Sequence, residues 1–185
     1  MCFLALPSED YQESFLQGAA EFHAEGQFES TYIALLGYDL DRLDRRFDAF
    51  VRDLLALGDR ERLPPSWHQD RVYWLIAGGE YVGQTSIRPE LATPYLMTYG
   101  GHIGYSIRPS RRQRGYGREI LALGLVEARR LGLSRVLVTC GSDNAGSRRI
   151  IEANGGRFES ALSLAPHLRR SPTALEKLRY WVDLA

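Results

Sequence analysis

One stretch constrains this chain more than any other: Ser106-Ile107-Arg108-Pro109-Ser110-Arg111-Arg112-Gln113-Arg114-Gly115-Tyr116-Gly117. It follows a β-branched and aromatic run, His102–Ile107, which Pro109 ends. It opens a helical pattern from Gly115 to about Leu131, with Leu121, Leu125 and Ala128 on one face and Gly132 as the stop. A helix start carries unpaired backbone N–H groups and the positive end of the helix dipole. Gly115 and Gly117 remove side chains where a ligand must approach the backbone. Five arginines (Arg108, Arg111, Arg112, Arg114 and Arg118) crowd around it. Such a loop suits a phosphate or pyrophosphate. Two familiar nucleotide motifs are excluded. No Gly-Lys-Ser/Thr ending follows Gly115, and Ile120 stands where the dinucleotide fingerprint needs its third glycine.

The loop's basic charge is local. The 185 residues hold 23 Lys and Arg against 23 Asp and Glu, so bulk attraction to nucleic acid or to an anionic membrane is not expected. No run of about 18 apolar residues exists to span a bilayer. The first seven residues lack a basic region, meet Glu9 and Asp10, and do not read as a signal peptide. Cys2 and Cys140 form no disulfide framework, so a reducing cytoplasm is expected. No metal is expected.

The rest of the chain reads as mixed α and β layers. Phe3–Leu6 predicts a short strand and Ser8 to about Ala24 a helix. Leu43, Phe47, Phe50, Val51, Leu54 and Leu55 recur at spacings of three and four and predict one amphipathic helix over Asp39–Leu57. Val72–Ile76 and Tyr81–Ile87 flank Gly78-Gly79 as a hairpin, and a longer loop with Pro89 and Pro94 leads to His102. Arg135–Cys140 predicts a buried strand, and Asp143 or Asn144 caps a helix that ends at Gly155-Gly156. Phe158–Leu164 and Leu178–Leu184 predict the last strands.

Arg112-x-x-Gly115-x-Gly117, after a strand ending Ile-Arg-Pro-Ser, resembles the pyrophosphate loop of the GNAT N-acetyltransferase superfamily, Gln/Arg-x-x-Gly-x-Gly/Ala. Asn144, 27 residues beyond Gly117, with Ser147, Ile150, Glu152 and Gly155, resembles the family's next segment, in which an Asn starts a helix beside the pantetheine arm. Arg179–Leu184 is similar to its last strand, and the resemblance covers residues 71–185. It implies an α+β fold, a central mixed and mostly antiparallel sheet flanked by helices. It implies one domain over 1–185, with 1–70 on the acceptor side and 71–185 as the cofactor core. Acetyl-CoA is the implied cosubstrate and a small-molecule amine or a peptide the implied acceptor.

Roles follow by position. The backbone of Arg112, Gln113, Arg114, Gly115, Tyr116 and Gly117 would cradle the pyrophosphate. The edge of Tyr105, Ser106, Ile107 and Arg108 would pair with the pantetheine amides like an added strand. Asn144 and Ser147 would hold the arm. The chemistry is direct attack of a neutral amine, yet an amine of pKa ~10.4 is neutral only about once in a few thousand at pH 7, so a base is needed. Many members carry Glu five residues before the Asn and Tyr seven after it; here these are Thr139 and Ile151. His102 is the expected base and Tyr180 the expected acid in their place. Cys140, as an acyl acceptor, and an amine-attracting patch of Glu21, His23 and Glu25 are further possibilities. A non-catalytic acyl-CoA-binding or sensing domain is the alternative, and a homodimer through a sheet edge is compatible with either.

Overall fold

The computed structural model describes residues 2–169 and 171–184. Seven strands form one sheet in the order β1-β2-β3-β4-β5-β7-β6. They are β1 (Cys2–Ala5), β2 (Arg71–Ala77), β3 (Glu80–Ile87), β4 (Ile103–Ile107), β5 (Arg135–Gly141), β6 (Arg157–Ser163) and β7 (Glu176–Asp183). All neighbours run antiparallel except β4 and β5, which are parallel. The expected mostly antiparallel α+β architecture is therefore what forms.

Helices cover both faces because each face of the sheet alternates into its own apolar set. On one face, α1 (Gln12–Ala24), α2 (Tyr32–Leu35), α3 (Leu40–Arg45) and α4 (Phe47–Ala56) bury Phe15, Ile33, Leu43, Phe47, Phe50 and Leu54 against Val72, Trp74, Ile76 and Tyr81. Phe15 stacks on Trp74 with ring centroids 4.5 Å apart. On the other face, α5 (Tyr116–Arg130) and α6 (Ala145–Ala153) cover Ile103, Val136, Val138, Cys140 and Tyr180 with Leu121, Ala128 and Ile151.

Two local expectations need correction. The helix expected over Asp39–Leu57 is two helices, because Arg46 leaves the helical region at φ −134° and ψ 39°. Asp39 caps the first through a 2.7 Å bond from the Arg42 N–H, and the apolar spacing continues across the break. The loop before β4 contains a π-helical turn, Leu96–Gly100. Its Tyr99 carbonyl accepts the Thr139 hydroxyl at 2.7 Å, which pins the turn over β5.

Candidate active site

The sheet opens at the one parallel join among the described residues. β4 and β5 share one register pair, Ile103 with Val138. Beyond it β4 stays with β3 as far as Ile107, and β5 stays with β7 as far as Gly141. The Arg108 N–H donates to the Val82 carbonyl at 3.0 Å, and the Arg88 N–H to the His102 carbonyl at 2.8 Å. Antiparallel alternation then turns residues 104, 106 and 108 toward β3, and the backbone of Tyr105 and Ile107 toward the gap. The Ile107 carbonyl is taken by Arg112 Nε at 3.2 Å. The Tyr105 N–H, the Tyr105 carbonyl and the Ile107 N–H point to the same side, beyond the one register pair that joins β4 to β5. Of the four edge residues expected to pair with an added strand, Tyr105 and Ile107 are oriented for it, whereas the backbones of Ser106 and Arg108 face β3.

The loop beyond β4 turns back through Pro109–Arg111 and enters α5 with two left-handed residues, Gln113 at φ 59° and Gly115 at φ 85°. Among the described residues, no acceptor takes the N–H groups of Gln113, Arg114, Gly115, Tyr116 or Gly117, and no side chain caps α5. Free N–H groups at the positive end of a 15-residue helix are chemically suited to an anion. The two glycines serve different ends. A Cβ on Gly115 would meet nothing within 4 Å, so its need is the positive φ; a Cβ on Gly117 would lie 2.5 Å from Ile150 Cδ1, so its need is the close packing of α5 on α6.

The arginine cluster is less uniform than its sequence. Arg108 is buried and bonds α1: Glu21 at 2.7 Å, Gln17 at 3.1 Å and the Ser14 carbonyl at 3.3 Å. Arg112 pairs with Glu25, and Arg111 with Glu80. Arg114 and Arg118 form no ion pair among the described residues, unlike Arg108, Arg111 and Arg112. Glu21 and Glu25 are thus engaged by the loop rather than open to an amine. Burial opposes ionisation of Glu21, but hydrogen bonds from the Ser110 N–H, Arg108 and the Ser110 hydroxyl outweigh it, so its carboxyl titrates below the ordinary value.

Across the gap, Asn144 caps α6, its Oδ1 accepting the Ser147 N–H at 2.9 Å. Ser147 Oγ lies 2.7 Å from the Tyr105 hydroxyl, which brings two of the expected cofactor residues together. Burial pushes the Tyr105 phenol up to about 12 and the Cys140 thiol up to about 11, so both stay protonated at neutral pH. Tyr180 is buried on β7, its hydroxyl 3.4 Å from Glu152 Oε1; burial, Cys140 and Glu152 all raise its pKa. Ile151, fully buried, is core.

His102 sits at the join itself. Its N–H donates to the Leu137 carbonyl at 2.8 Å, and its Nδ1 accepts the Leu137 N–H at 2.9 Å. That donor is a backbone amide, so the neutral ring must carry its proton on Nε2. Burial, with Arg88 nearby, lowers the pKa of His102 to about 4. Its lone pair is spent on the strand join.

The helical face beside the site holds a buried group with no local sequence signal. The Tyr32 hydroxyl donates to Asp70, Arg88 pairs with Asp70 at 3.1 Å, and Arg88 also reaches Ser86 at 3.2 Å and the Gly101 carbonyl at 3.3 Å. Nearby, a cavity of about 340 Å³ is lined by Arg60, Trp67, His68, Gln69, Glu90 and Thr93.

Residues 11–157 match the acetyltransferase (GNAT) domain family, and the chain belongs to it. Among curated protein sequences, none matches the chain significantly. The fold is that of solved acetyltransferases. The microcin self-immunity acetyltransferase MccE, in complex with acetyl-CoA and AMP, superposes with a TM-score of 0.70 at 16% identity, over 98% of this chain and 92% of that one. RimL, a ribosomal alpha-N-protein acetyltransferase in complex with CoA, gives 0.68 at 18% identity, over 98% and 93%. The spermidine N-acetyltransferase of Vibrio cholerae, with CoA and spermine, gives 0.62 at 11% identity, over 99% and 95%.

Proposed function

We propose that the protein is an N-acetyltransferase that moves the acetyl group of acetyl-CoA to a primary amine of a small molecule or a peptide. The observation that carries this reading is the parted join of β4 and β5, with the backbones of Tyr105 and Ile107 turned toward it and a loop of free N–H groups at its end. The pyrophosphate would sit on the N–H groups of Gln113–Gly117, with Arg114 and Arg118 beside it; the Arg112 N–H, expected to join them, is taken by the Pro109 carbonyl at 3.2 Å. The pantetheine arm would run back along β4 toward Gly104, about 10 Å at roughly 3.3 Å per residue. The Tyr105 N–H, Tyr105 carbonyl and Ile107 N–H would pair with its amides, and Asn144 and Ser147 would flank it. The thioester would then lie where the strands separate, beside Gly104 and Thr139. The neighbours' complexes with acetyl-CoA or CoA support the choice of cosubstrate.

The acceptor would come from the side of α1–α4, past the Leu96–Gly100 turn. A free backbone N–H at the gap would stabilise the oxyanion as the amine attacks the thioester carbonyl. His102 does not suit the role of base, because its Nδ1 already holds a proton donor; the amine's proton is assigned to water. The departing thiolate takes a proton from the hydroxyls on the α6 side, Tyr105 and Ser147, with Tyr180 as the further candidate. We read residues 1–185 as one domain. The two free thiols, Cys2 and Cys140, favour the cytoplasm, and the sheet edges β1 and β6 are the surfaces a homodimer would use.

The second reading, a non-catalytic acyl-CoA-binding or sensing domain, is favoured by Thr139 and Ile151 at the usual acid–base positions. Free-thiol release from acetyl-CoA separates the two. The enzyme reading expects release that depends on an added amine, across a panel of polyamines, aminoacyl compounds and peptides. Tight acetyl-CoA binding with no acceptor-dependent release in any of them overturns it in favour of the sensor.

A further inference from the structure

We propose that Glu21, seconded by Glu25, is a positioning residue of the cofactor site, holding the β4–α5 loop in its anion-binding shape from the opposite side of the sheet. The proposal rests on the cofactor reading of that loop given above. It starts from an incongruity: two carboxylates stand beside a loop built to receive phosphates. By charge alone they weaken anion binding, so what they do must be geometric.

Glu21 meets the loop at two consecutive fixed points. Its Oε1 accepts Arg108 Nε at 2.7 Å and the Ser110 hydroxyl at 2.9 Å; its Oε2 accepts the Ser110 N–H at 2.9 Å. The Arg108 side chain is only 7% exposed, and its remaining nitrogens are held by Gln17 and the Ser14 carbonyl of the same helix. α1 comes this close because Gly18 has no side chain; a Cβ there would lie 3.1 Å from Tyr81 Cε1 and 3.4 Å from Arg108 Cδ. One turn further, at the C-terminal cap of α1, both oxygens of Glu25 take Arg112 Nη1, at 3.0 and 2.9 Å, while Arg112 Nε caps the Ile107 carbonyl at 3.2 Å. The chain is thus clamped at 108, 110 and 112, immediately before the segment 113–117 whose N–H groups stay free. Arg108 and Arg112 are consumed as struts, and the attraction for phosphate is left to Arg114, Arg118 and the backbone.

The sign of one substitution tests this. Glu21→Gln removes the charge and keeps the shape. If Glu21 acts as a strut, the variant binds acetyl-CoA about tenfold more weakly, the effect of losing one charge-assisted hydrogen bond. If it acts only as a repelling charge, the variant binds more tightly. Hydrogen exchange on the free protein is the second readout. The amides of 110–117 are expected to exchange faster in Glu21→Gln, with those of Leu121–Ala128 in α5 unchanged. Equal or tighter acetyl-CoA binding, or loop amides that exchange as in the parent, overturns the proposal. A parent protein that binds no acetyl-CoA removes the cofactor reading instead, and the exchange result alone then decides whether Glu21 holds the loop.

Discussion

Replacing Gly115 by Ala tests the anion loop more sharply than removing an arginine does. Gly115 has φ +85°, and a Cβ there meets nothing within 4 Å, so the substitution adds no clash. The penalty is that of a left-handed L-residue alone, about 1–2 kcal/mol. For a chain of this size each kcal/mol lowers the unfolding midpoint by about 2–4 °C. Gly132, which ends α5, has φ +87° and equally open surroundings, so Gly132→Ala carries the same penalty far from the loop. The two variants are therefore matched in strain and differ only in place. Strain at 115 is relieved by turning the peptide out of the left-handed region, which disperses the loop's free N–H groups. Acetyl-CoA affinity, measured by titration calorimetry, is expected to fall at least tenfold in Gly115→Ala, about 1.4 kcal/mol, and to stay within twofold in Gly132→Ala. An equal loss in both, or none in Gly115→Ala, refutes the claim that the loop's backbone is the binding element.

Two further outcomes follow from the packing around the site. Gly117→Ala drives a methyl into Ile150 Cδ1, 2.5 Å away, and is expected to lower stability in urea by about 1–3 kcal/mol; Ile150→Val, which deletes that carbon, should recover most of the loss in the double variant, and strict additivity would count against the contact. His102 takes no proton in the folded chain above about pH 4, whereas an unfolded histidine takes one below about 6.5, so stability should fall as pH drops from about 6.5 to about 4. His102→Asn keeps an acceptor for the Leu137 N–H and cannot titrate, so its urea midpoint should depend less on pH over that window; an unchanged dependence would show that His102 is not its source.

The anion loop was legible because everything that defines it is contiguous: a strand, two glycines at fixed spacing and a helix start. The cap at Asn144 was legible for the same reason. What the sequence concealed depends on partners far along the chain. Arg108 and Arg112 read as phosphate ligands until Glu21 and Glu25, each 87 residues earlier, claim them. His102 reads as a base until the Leu137 N–H, 35 residues later, occupies its Nδ1. The Tyr32, Asp70, Arg88 and Ser86 group joins three segments with no shared motif. Periodicity failed once, at Arg46, because the apolar spacing runs on through a residue whose backbone leaves the helix.

Every role proposed for the loop and for β4 requires that this chain bind acetyl-CoA in the gap between β4 and β5. Thermal unfolding with and without acetyl-CoA decides this, for the parent and for an Arg112→Ala, Gly115→Asp double variant. A ligand at a hundred times its dissociation constant adds about 2.7 kcal/mol, or roughly 5 °C or more in midpoint. That rise is expected in the parent, and its disappearance in the variant. No rise in a folded parent at millimolar acetyl-CoA would contradict it.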